Sequence, residues 1–235
     1  MTRHVQLNNI DHRDLRIDTR RSAALGDGVA CVATFPEEFR DLQAYYPIVF
    51  RRDEAGAFAP LALLGFEEGR NLFLDGERWD AAYIPLSIER SPFLIGRGGE
   101  DITVHLDLDS PRVRHDAGQA LFREHGGNTD YLDRIASVLL TLHNGLLRVP
   151  AFIEALQAHQ LLESFVLDVE LDDGSVHRLA GYHGINEDRL RALDAAALGA
   201  LHAAGHLQPV FMAVASVSRF RDLIDRMNRS RAGGR

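Results

Sequence analysis

Apolar and polar positions along this chain follow two different periods. From the start to about residue 115 the apolar residues come in short runs or alternate one by one. Ile102 to Leu108 alternates strictly, with Ile102, Val104, Leu106 and Leu108 on one face and Thr103, His105 and Asp107 on the other. A period of two is that of an extended chain, whose successive side chains point to opposite faces. Val29 to Phe35 and Pro60 to Phe66 are short apolar runs with the length of strands. Asn71 to Asp75 alternates up to a turn at Gly76. Glu37 to Tyr45 follows Pro36, whose fixed φ suits a first helical turn, so a short helix is predicted there. Gly96 to Gly99 predicts a turn.

Beyond residue 115 the spacing becomes helical. Tyr131, Ile135, Val138, Leu139 and Leu142 recur every three to four residues, which predicts a helix capped by Asn128 or Thr129 and running to about Arg148. Pro150 predicts the opening of a second helix, carrying Phe152, Ile153, Leu156 and His159 and ending near Leu161. Val166 to Leu171 and Val176 to Tyr182 predict a hairpin, with Asp172-Asp173-Gly174 as its turn. Asn186 caps a predicted helix from Glu187 to about Ala204, stopped by Gly205. Pro209 to Val217 is short and apolar, and Ser218 leads into a last amphipathic helix. The sum is an α+β fold with a mainly antiparallel sheet in the N-terminal half and helices plus a β-hairpin in the C-terminal half. We expect one domain over 1–235.

Composition narrows the function classes. Of the 235 residues, 46% are apolar and 26% charged, as in ordinary soluble domains. All 26 basic residues are Arg, which reads as a bias toward GC-rich codons. The net charge of −8 disfavours a nucleic-acid role, because phosphate binding needs clustered cations. Arg219 to Arg235 is a local exception, and its Ser230 and Gly233-Gly234 suggest a solvated, frayed end. Cys31 is the single cysteine, so no intrachain disulfide can form, and its apolar run VACVATF marks a small core residue. The N-terminal stretch lacks a continuous apolar core of the secretory kind, and no run approaches eighteen apolar residues. We expect a cytoplasmic protein without a membrane span.

The segment WDAAYIPLSIERSPF, Trp79 to Phe93, concentrates recognition chemistry and holds the only Trp. Pro85 and Pro92 cannot both lie inside one regular helix, which predicts a bent strand–turn–strand path displaying Trp79, Tyr83 and Phe93. With Tyr45, Pro47-Ile-Val-Phe50, Pro60-Leu-Ala-Leu-Leu-Gly65, Gly69, Asn71-Leu-Phe73, Asp107, Asp109, Ser110-Pro111, Leu121-Phe122, Gly181-Tyr182, Ile185-Asn-Glu187 and Leu190, the segment resembles the SapC family of bacterial proteins. The order and spacing of these strings carry the resemblance over most of the chain. The family name is tied to surface-layer proteins of one bacterial group. Similar proteins are commonly encoded beside flavin-dependent tryptophan halogenases, cupin-like proteins and TonB-dependent receptors. The resemblance therefore implies a partner from such a neighbourhood and brings no agreed catalytic residues.

Candidate chemistry follows two lines. The first is binding: Trp79, Tyr83, Pro85, Arg90, Phe93, Asp107 and Asp109 would hold a peptide, a protein or a small aromatic ligand, with Arg90 forking a carboxylate. The aromatic residues serve equally as a plug between sheet and helix. The second is a metal-dependent modifying enzyme of the non-haem iron/2-oxoglutarate kind. There His105 and Asp107 on one strand face would supply two ligands and a later His, His183 or His177, the third. Asp107 and Asp109 match the family pattern and His105 does not. His202 and His206 stand four apart, but Gly205 ends the helix between them. No nucleophile elbow, Walker loop or dinucleotide fingerprint occurs, and Gly96-Arg97-Gly98-Gly99 is not framed as a phosphate loop. A binding protein without a resident cofactor is the expectation.

Overall fold

The computed structural model describes residues 3–98 and 101–232. They pack as two compact units. One comprises Met1–Gly28, Leu74–Asp80 and Leu86–Asn144, the other Val29–Phe73, Ala81–Pro85 and Gly145–Arg235. Antiparallel sheets with helices make up both, so the fold is α+β.

In the first unit the strand Asp101–Asp107 lies between His4–Gln6 and Phe93–Gly98. The alternation read from the sequence is what folds it: Leu106 is fully buried, and Val104 and Leu108 pack on the same core. That core joins Leu15, Ile17, Phe93 and Leu121 to Leu132, Ile135 and Leu139 of a long helix. Each such side chain contributes about 1.5–3 kcal/mol on burial. A small ribbon sets Arg16–Ile17 between Val113–Arg114 and Gln119–Ala120. Gly118 shapes it: at φ 115° a side chain is strained, and a Cβ would strike the Ile17 carbonyl. The predicted turn at Gly96 to Gly99 is not there as read. The strand continues through Gly98, and Gly99 lies outside the described residues, as does the Arg97 side chain. Gly96 is a strand residue opposite Thr103, and the His105 imidazole from the neighbouring strand fills the space a Cβ would need there.

In the second unit five antiparallel strands run in the order Leu162–Glu170, Val176–Ile185, Ile48–Arg52, Phe58–Leu63, Cys31–Ala33. Of the two apolar runs of the sequence, Pro60 to Phe66 gives the buried inner strand Phe58–Leu63, whereas Val29 to Phe35 gives the partly exposed edge strand Cys31–Ala33. The other inner strand, Ile48–Arg52, buries Ile48, Val49 and Phe50. Phe39 meets the rings of Phe50 and Phe152 at 6.4 and 5.8 Å, and these three close the core. The predicted hairpin forms with Gly174 in its turn at φ 79°, and its strands extend beyond the predicted ends. A bulge interrupts their register between Phe165 and Leu167.

Helices depart more from the reading. Asp130–Ala158 is one helix of 29 residues with Pro150 inside it, not two. Its first part supplies Leu132, Ile135 and Leu139 to one unit and its last part Phe152, Ile153 and Leu156 to the other. Among the described residues it is the one helix long and apolar enough, by length and composition, to cross a membrane, and a third (33%) of the window concerned is buried. The helix capped by Asn186 ends at Arg191, and Asp194 caps a second one over Ala195–Ala203. Leu207–Ser216 is helical, and the predicted last amphipathic helix forms as Arg219–Ala232, anchored by buried Leu223 and Met227, while Gly233 and Gly234 of the expected frayed end lie outside the described residues.

Candidate functional site

The Trp79–Phe93 segment divides between the units. Trp79, half-buried, ends the strand Arg78–Trp79 opposite Leu74. After Pro85, which is buried, the chain makes a one-turn helix, Leu86–Glu89, where a simple strand–turn–strand path was expected. Phe93 then opens a strand and is fully buried in the first unit's core, edge-on to Tyr131. Tyr83 and Pro85 belong to the second unit. There the Tyr83 hydroxyl donates to Glu38 Oε1 at 3.0 Å, Thr34 donates to Oε2 at 2.6 Å, and the Tyr46 hydroxyl donates to the Tyr83 carbonyl. Tyr83 thus helps satisfy a buried carboxylate.

Arg90, half-buried, differs from the buried Arg112. Its Nη1 donates to the Phe93 carbonyl at 2.7 Å, and among the described residues it meets no carboxylate. Burial alone acts on it, pulling its pKa below the usual guanidinium value. Arg112 shows the contrast. It is 1% exposed, donates to Asp27 at 2.5 Å and to the carbonyls of Asp18 and Arg20, and leaves only Nε unpartnered. Arg21 stands 3.5 Å from the other oxygen of Asp27. No local pattern announces this network, since Asp27 and Arg112 are 85 residues apart.

Asp107 and Asp109 build a turn. Asp107 Oδ1 accepts from the Asp109 N–H at 3.1 Å, and Asp109 Oδ2 accepts from the Arg3 N–H at 2.9 Å. Of the metal-ligand candidates, His105 and Asp107 lie in the first unit and His183 in the second. The His183 ring meets Phe58 edge-on at 4.8 Å, its Nδ1 has no partner among the described residues, and burial with the Arg52 charge lowers its pKa. His177 Nε2 is 2.7 Å from Arg231. His206 rests on Phe152 at 5.4 Å while His202 is exposed. Among the described residues no three His, Cys, Asp or Glu side chains come together as a metal would require.

Sequence reading missed the surface clefts. In the first unit a cleft of about 600 Å³ is lined by Arg13, Arg16, His115, Phe122, Arg123 and Glu124, among others. In the second, one of about 280 Å³ is framed by Tyr45, Phe73 and three arginines of the last helix, where Arg226 stacks 4.3 Å over Phe73.

Fold and geometry together define an α+β protein of antiparallel sheets bearing arginine-lined clefts. A family model described as SapC matches residues 7–223, nearly the whole chain, so the chain belongs to the SapC family. No curated protein and no solved structure matches it.

Proposed function

We propose that this SapC-family chain is a non-catalytic accessory protein of the cytoplasm that binds a carboxylate-bearing partner. That partner is an acidic segment of a peptide or protein encoded nearby, such as a halogenase or cupin-like protein, or a small aromatic acid. One observation supports the reading above others: the half-buried Arg90 guanidinium has, among the described residues, a single carbonyl as its partner. A desolvated cation without a counter-ion is costly, and a two-oxygen anion matches its fork. Trp79, half-buried in the same unit, offers ring surface for an aromatic body.

The test is a thermal-shift and NMR titration with benzoate, phenylacetate and acidic peptides, each paired with its neutral amide. Acids should raise the melting temperature and amides should not. At a hundred times Kd the gain is about 2.7 kcal/mol. Arg90→Gln should remove the response. Equal responses from acid and amide, or a response that Arg90→Gln leaves intact, would overturn the reading.

A further inference from the structure

The cleft over the small ribbon of the first unit has a construction of its own. Arg13 donates from Nη2 to the Glu124 carbonyl at 2.7 Å, and Arg16 donates from Nη1 to the Gly118 carbonyl at 3.3 Å. Among the described residues neither forms an ion pair, in a protein whose net charge is −8 and in which many other arginines do. Arg123 adds a third guanidinium, paired at 2.7 Å with a fully exposed Asp130. An exposed pair of this kind is worth little and exchanges readily. Backbone carbonyls therefore hold two cations at the cleft while leaving most of their donors to a ligand. Gly118, the one residue type that fits against the Ile17 carbonyl, fixes the loop that presents the second of them.

Phe122 gives the cleft a second half. It lines the basic cleft of about 600 Å³ and also a neighbouring one of about 220 Å³, whose walls include Leu7, Val104, Leu132 and Ala136. The first volume is within the roughly 300–1,000 Å³ typical of small-molecule sites. The three arginines outnumber Asp14 and Glu124 in the first cleft, and Leu7, Val104, Leu132 and Ala136 share the second with the uncharged Gln6, Thr103 and Asn128. That pairing matches a molecule anionic at one end and largely apolar at the other.

We infer that this paired cleft binds an amphipathic organic anion, its carboxylate or phosphate held by Arg13 and Arg16 and its apolar body lying along Phe122 toward Leu7 and Leu132. The site is separate from Arg90 and does not rest on the role proposed for that residue.

Titration of the full chain with octanoate, phenyl phosphate and inorganic phosphate, followed by ¹H–¹⁵N NMR, tests it. Octanoate or phenyl phosphate should saturate with shifts at Leu7, Arg16, Gly118 and Phe122, and inorganic phosphate should bind at least tenfold more weakly. The tighter of the two organic probes identifies the headgroup. Arg13→Gln with Arg16→Gln should weaken binding at least tenfold, and Arg90→Gln should leave it unchanged. Phe122→Leu should weaken the organic probes and not inorganic phosphate. Absence of saturable binding, inorganic phosphate binding as tightly as the organic probes, or binding indifferent to the double arginine change would each overturn the inference.

Discussion

Two guanidinium groups, Arg21 and Arg112, converge on the Asp27 carboxylate inside the first unit, and Arg112 and Asp27 are 1% and 2% exposed at their side chains. Removing one partner of a buried pair leaves an uncompensated charge, which costs about 3–5 kcal/mol. Asp27→Asn should therefore destabilise by that much in urea unfolding, and a loss below about 1 kcal/mol would show that the network is not held by charge. Tyr131 stands near the same arginines, and burial pushes its phenol up to about 12. A folded-state pKa above the unfolded value near 10 means a contribution present below about pH 10 and lost as pH rises toward 12. Phenolate absorbance should show late-titrating tyrosines, since burial also raises Tyr182, and Tyr131→Phe should remove one of them. Asp18 works in the opposite direction. The side-chain hydrogen bonds of Arg20 hold its carboxyl down at about 2, so its contribution is present above about pH 4 and lost as pH falls through 2. Acid unfolding of Asp18→Asn should start from lower stability and show a shallower loss over that window. At this scale the sequence was least legible. Arg90 was visible through its neighbours in a family string, whereas Arg112 gains its meaning from Asp27, far away in the chain.

Secondary structure was legible where the pattern is local and failed where packing overrode it. Strict alternation marked the strand Asp101–Asp107, and Asp172-Asp173-Gly174 marked the hairpin turn, because both signals are complete within a few residues. Pro150 was misread because a proline suits a helix start as well as it offends a helix middle. Here Leu139 and Leu142 before it and Phe152, Ile153 and Leu156 after it are all buried, so packing on either side holds the helix continuous through the missing N–H. The ring of Pro150 is exposed and makes no core of its own. Pro150→Ala should accordingly stabilise the chain by about 1–3 kcal/mol in chemical denaturation, and a destabilised variant would show that the helix depends on a bend at that point. Gly145, one turn earlier, behaves oppositely. A Cβ there would enter the Phe35 ring, so the better helix former should cost about 1–3 kcal/mol through overpacking.

Across the whole chain, strand signals say little about which strand joins which sheet. The β-rich N-terminal half supplies both units in alternation: Val29–Phe73 goes to one, Leu74–Asp80 to the other, and Ile48–Arg52 pairs with Val176–Ile185, more than a hundred residues on. Charge shows the same non-local use. The arginine-rich end looked like the one stretch able to meet a polyanion, yet its cations are largely spent within the second unit. Arg231 donates to Asp173 at 2.9 Å and to Glu67 at 3.1 Å, Arg219 pairs with Asp222 at 2.7 Å, and Arg226 stacks on Phe73. Polyanion binding gains from cations that can shed their partners for phosphate, and the field of a −8 chain opposes the approach. Duplex DNA should therefore show no mobility shift with this protein at about 0.15 M salt, where screening reaches about 8 Å. A shift that disappears when exposed Arg221 and Arg229 are changed to Gln would overturn that expectation. Arg231→Ala should instead lower the melting temperature, because the Asp173 carboxyl, held below its usual range by Ser175 and Arg231, and the Glu67 carboxyl, held down by Arg70 and Arg231, would lose the cation they share.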